Sequence, residues 1–257
     1  MRQLIAAVVI FIGAGCAGTG NERVNYAPRS GSDTEGQMRA RLHTELASGY
    51  LELGNYGVAL QEANEALKSE PDYGPAFNVL GLVYMGLRED KLAESNFQRA
   101  LRINPLDSDT NNNYGTFLCQ RKREQESVKY FLAALRNPLY STPDKSWANA
   151  GTCARQAGDL AAAEDYFQKA LKLRPNQSQA LVQMADMAYK RKNYSGAKVY
   201  LARLGTDSAP TAEMLWLALR VERALGDRNA EASLEFQLRK NFPDSREVRD
   251  LIERRYE

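Results

Sequence analysis

The chain has 257 residues, 44% hydrophobic and 26% charged, a composition that belongs to a folded protein and not a disordered one. A net charge of +2 with both signs interspersed argues against a nucleic-acid binder held by charge. A single histidine, His43, and three cysteines leave little material for a metal centre or a catalytic dyad. At the start of the chain, Arg2 precedes an apolar run from Leu4 to Ile12, followed by Gly13-Ala14-Gly15. That run is far shorter than the ~20 residues that span a bilayer, so residues 1–15 read as an export signal.

The small residues ending directly at Cys16 resemble a bacterial lipobox, in which the signal is cut before the cysteine and the cysteine carries the lipids. Gly13 stands where that pattern usually has Leu. Ordinary export with an incidental cysteine is the other reading. In such lipoproteins Ala17 in place of Asp implies sorting to the outer membrane, where several acyl chains hold stably and a single one is marginal. Residues 16–39, rich in Gly, Ser, Asn, Pro and charge, then form the lipidated cysteine and a flexible tether.

From Ala40 the chain follows a 34-residue period, clearest in unit 74–107. Phe77, Leu80, Tyr84 and Phe97 are its large residues, and Gly81, Ala93 and Ala100 its small ones. Small side chains let two antiparallel helices approach, large ones fill the space between them, and Pro105 stops the second helix. This is the tetratricopeptide pattern. It predicts units at 40–73, 74–107, 108–143, 144–177, 178–211 and 212–245, with 246–257 as a capping helix carrying Val248, Leu251 and Ile252. Unit three has two extra residues and a second helix ending at Pro138; units five and six match less fully. The expected fold is all-α, a right-handed superhelix of six helix hairpins plus the cap.

In such arrays the first helix of each unit lines a groove. Across units two to four the groove positions hold Asn78, Leu82, Met85, Asp109, Asn112, Thr116, Cys119, Gln120, Ala148, Thr152, Arg155 and Gln156. Amides beside Leu and Met suit an extended peptide or a docked helix, and plain solvated surface is the competing reading. The run Asn111-Asn112-Asn113 lies inside a predicted helix, where Asn is mediocre. Either the amides bind a partner's backbone or one of them ties the loop after Pro105.

Cys119 and Cys153 lie on first helices of neighbouring units. In an exported chain they form either a disulfide or two buried thiols, and two sulfurs without a nearby histidine make a poor metal site. His43 sits at a packing position and reads as a core histidine. Glu62 and Glu65 read as solvated outer-face residues. No phosphate loop, zinc-protease or nucleophile-elbow motif is present, so neither catalytic residues nor cofactors are expected.

Four segments carry a more specific resemblance: ELGNYGVALQEANEAL (Glu52 to Leu67), NNNYGTFLC (Asn111 to Cys119), NPLY (Asn137 to Tyr140) and NAGTCA (Asn149 to Ala154). With the lipobox before them, they resemble the PilF/PilW lipoproteins of type IV pilus biogenesis, the six-repeat pilotins of Gram-negative bacteria. The resemblance implies a non-enzymatic protein on the periplasmic face of the outer membrane, monomeric apart from its partner. That partner is the pilus secretin, whose subunits it helps to localise and assemble. A tetratricopeptide lipoprotein scaffold for β-barrel assembly or cell-wall enzymes is the alternative class.

Overall fold

The computed structural model describes residues 34–204 and 210–256, which hold thirteen α-helices and no strand. They pair as hairpins: α1 (Glu35–Glu52) with α2 (Tyr56–Ser69), α3 (Gly74–Gly86) with α4 (Asp90–Ile103), and α5 (Ser108–Gln120) with α6 (Glu124–Ala134). The series continues with α7 (Pro143–Gln156) and α8 (Leu160–Leu173), α9 (Ser178–Lys190) and α10 (Tyr194–Ala202), then α11 (Ala212–Leu225) and α12 (Arg228–Asn241). A last short helix, α13 (Arg246–Ile252), packs on α11 and α12. The first helices also touch in succession, from α1 to α3 through to α9 to α11, and so form one continuous layer. The fold is an all-α tetratricopeptide superhelix.

Three of the hairpins close around a phenylalanine set against a glycine. Phe97, Phe131 and Phe167 are at most 1% exposed and press on Gly81, Gly115 and Gly151 of their own hairpins. Burying a Phe side chain stabilises by roughly 1.5–3 kcal/mol. The close approach also depends on a small residue in the second helix, met by the fully buried Ala59, Ala93, Ala163 and Ala197. Unit three has Ser127 there, whose hydroxyl donates to the Gly115 carbonyl at 2.8 Å. Unit six has Glu231, buried and paired with Arg223 at 2.7 Å and Arg228 at 3.2 Å. That carboxylate in the small-residue position, with Leu219 and Glu235 where units two to four have glycine and phenylalanine, makes the unit faint in the sequence.

The hairpin turns share one conformation. Their fifteenth residue has positive φ in every unit, as Gly54, Gly158 and Gly226 in three and as Arg88, Lys122 and Lys192 in the others. Side-chain caps then start the following helices, with Asn55 accepting from Val58, Asp159 from Ala162 and Asp227 from Ala230. Between α5 and α7, Cys119 and Cys153 are joined as a disulfide with Cα atoms 5.8 Å apart.

Three expectations need correction. The sequence predicts a tether up to residue 39, but α1 begins at Glu35. Glu35 favours the positive helix start and pairs with Arg39 one turn on at 3.1 Å, which carries helix into that stretch. The second helix of unit three stops at Ala134, short of Pro138. The residue before a proline resists helix, and Asn137 instead accepts from the Leu139 amide at 2.9 Å in a turn. His43 is half-buried and pairs with Glu62 at 2.7 Å, so neither a core histidine nor a solvated Glu62 describes that contact. The signal, Cys16 and the tether up to residue 33 lie outside the described residues.

Candidate partner-binding surface

The layer of first helices carries the amide and hydroxyl groups expected to line a groove, and much of their hydrogen-bonding capacity is spent inside the array. Asn113 donates to Asn78 at 3.1 Å, joining α5 to α3. Asn149 donates to Asn112 at 3.1 Å, and Gln179 donates to Asn149 at 3.3 Å and to Thr152 at 2.9 Å, joining α5, α7 and α9. Asn111 donates to the Pro105 carbonyl at 3.0 Å and the Asp107 carbonyl at 2.8 Å, tying the preceding loop. All three asparagines of the triplet thus have partners within the chain. Buried amides need such partners, which explains Asn where a surface helix would carry Ala or Lys.

Several expected groove residues are therefore not open lining. Asn78 and Cys119 are 9% exposed, one paired and the other in the disulfide, and Ala148 is fully buried. Arg155 turns to Gln183 and Asp186 on α9. Leu82 and Met85 are half-buried beside the Phe97 and Tyr114 cluster. Asp109 stays exposed in the first turn of α5; its carboxyl pKa is raised by partial desolvation and then by Asp107, with Lys145 opposing. Thr116, Gln120, Thr152 and Gln156 do come together. With Asn149 and Phe131 they line a recess of about 200 Å³ beside the disulfide.

A larger recess, about 430 Å³, lies on α1 between Leu42, Glu45, Leu46, Gly49, Tyr50 and Leu53. Met38, Leu42, Leu46 and Leu53 are 42%, 55%, 42% and 80% exposed, a stripe at helical spacing that no described helix covers. Leu42 and Leu46 stand where a first helix packs against the preceding unit, and here the described residues supply no preceding unit. Sequence reasoning placed the groove elsewhere because an apolar stripe in a repeat reads as core. Being in the first unit was the signal that it is not. Among the described residues no group of three or more His, Cys, Asp or Glu side chains is placed to hold a metal ion.

These hairpins define a tetratricopeptide-repeat protein. Family models described as tetratricopeptide repeat match residues 44–108 and 145–177. The type IV pilus assembly protein PilF of Pseudomonas aeruginosa is 31% identical over 218 residues, 84% of this chain and 86% of that one. An uncharacterised protein of Haemophilus influenzae is 28% identical over 170 residues, 66% of this chain and 87% of its own. The solved structure of Pseudomonas aeruginosa PilF superposes with a TM-score of 0.78 at 29% identity, covering 86% of this chain and all of that one. PilW, described as a widely conserved type IV pilus biogenesis factor, gives 0.74 at 32% identity, covering 83% and 98%. The chain belongs to the PilF/PilW family of type IV pilus biogenesis proteins.

Proposed function

We propose that this chain is a lipid-anchored outer-membrane protein that binds subunits of the type IV pilus secretin and promotes their localisation and multimerisation, acting by binding and not by chemistry. The observation that carries the reading is the exposed apolar recess on α1 in a chain of this family. A stripe from Met38 to Leu53 is about 22 Å long at 1.5 Å per residue, the scale of an amphipathic segment docked in a groove. The second recess, between Thr116 and Gln156, offers hydroxyl and amide groups to a segment continuing along the first helices.

In this scheme acyl chains on Cys16 hold the protein at the membrane. The array covers an apolar segment of a secretin monomer and keeps it from premature association. Surface tethering then raises the local concentration of subunits and favours the ring. Replacing Cys16→Ala leaves the folded array intact and mislocalises the secretin; normal assembly of secretin at the outer membrane in that variant would sink the anchoring role.

A further inference from the structure

Arg220, on α11, holds its guanidinium between two aromatic rings. Its Cζ is 4.8 Å from the Tyr189 ring centroid on α9 and 5.7 Å from that of Trp216, one turn earlier on its own helix. The stack runs on: Trp216 lies on Tyr256 with centroids 5.6 Å apart, and Tyr256 lies 3.9 Å beneath Arg223. Arg223 has a carboxylate partner in Glu231, but Arg220 has no ion pair among the described residues, and its buried Nε has no hydrogen-bond partner. One carboxylate on each of α9, α11 and α12 is engaged elsewhere. Asp186 pairs with Arg155 and Lys190, Glu222 with Lys198, and Glu231 with Arg223 and Arg228.

Ring faces balance part of a cation's charge but take none of its in-plane N–H donors. A partly desolvated guanidinium without an anion is costly, and each unsatisfied donor adds to that cost. The flanking rings also fix its plane, which leaves the outer Nη pair, the part of the fork not buried with Nε, pre-organised for two parallel bonds to a carboxylate.

We infer that Arg220, framed by Tyr189 and Trp216, is a carboxylate-binding site that takes an Asp or Glu side chain of the bound polypeptide. This rests on the reading that the layer of first helices holds a polypeptide, and it adds acidic character to the segment reaching the last two hairpins.

The test uses the 15N-labelled chain and two blocked tetrapeptides, one alternating aspartate with tyrosine and the other its asparagine isostere. At low salt the acidic peptide shifts the Arg220 Nη resonances and binds about tenfold or more tightly than the isostere, the scale of a charge-assisted hydrogen bond. Arg220→Gln abolishes that preference. Arg220→Lys, which keeps charge and stem but not the planar fork, loses most of it and guards against misfolding of the first variant. Equal binding of the two peptides, binding by neither, or an unchanged preference in a folded Arg220 variant overturns the site. Secretin capture through α1 is read in a separate assay, so failure of this site and failure of the α1 reading are seen separately.

Discussion

Gly151 lies so close to Phe167 that a β-carbon on the glycine would come within 2.6 Å of the ring. Gly81 with Phe97 and Gly115 with Phe131 repeat the contact at 2.6 and 2.8 Å. One approach, built three times, sets the spacing between the two helices of these three hairpins.

Gly151→Ala therefore destabilises the chain although alanine is the better helix former. Overpacking costs about 1–3 kcal/mol, which outweighs the roughly 1 kcal/mol gained in helix propensity or cancels it at the low end. Gly49→Ala makes the opposite case, because nothing lies within 4 Å of the added carbon. It is expected to stabilise by about 0.5–1 kcal/mol. Urea unfolding of the two variants side by side checks the difference in sign.

The hairpin turns give a second contrast. Lys122 holds φ at 59° in a position where other units have glycine. A non-glycine residue there costs roughly 1–2 kcal/mol, partly offset by the greater entropy that glycine brings to the unfolded chain. Lys122→Gly is expected to stabilise by about 0.5–1 kcal/mol and Gly158→Ala to destabilise by about 1 kcal/mol. Midpoints of thermal unfolding decide it.

Removing the Cys119–Cys153 bridge opens a loop across a sequence separation of 34 residues. Loop-closure entropy puts its contribution at about 2–4 kcal/mol. Reduced wild type and the Cys119→Ala/Cys153→Ala variant should lose similar stability in denaturant titrations, whereas adding reductant to the double variant should change nothing.

The amide ladder is open to a double-mutant cycle. Asn149 and Asn112 meet at 3.1 Å across α7 and α5, and one such bond contributes about 0.5–1.5 kcal/mol net. Asn112→Ala and Asn149→Ala should couple by about that amount, whereas Asn112→Ala with Gly54→Ala should be additive.

How far the sequence discloses this molecule depends on which kind of residue is read. Gly81, Phe97 and Ala100 repeat because each hairpin solves the same packing problem, so the period gives the hairpins directly. Glu231 breaks the small-residue rule, and only the structure reveals the two arginines that neutralise it. The groove was harder to read. Position numbers placed Asn78 and Arg155 on the right helices, but periodicity cannot tell an amide open to a ligand from one spent on Asn113, or an arginine turned to Asp186. On α1 the period misleads in the other direction. Leu42 and Leu46 stand at positions that are buried in units two to five, as Ala76 and Leu80 are, yet both are exposed here.

The central claim is that the apolar stripe of α1 receives a segment of a secretin subunit. It is tested most directly by measuring capture of purified secretin subunits by the chain carrying Leu42→Asp and Leu46→Asp. Both positions are over 40% exposed, so folding should change by no more than about 0.5 kcal/mol each. Capture should fall by about tenfold or more, since two charges would have to be buried in the contact. A folded double variant that captures subunits as tightly as the wild type would contradict the account.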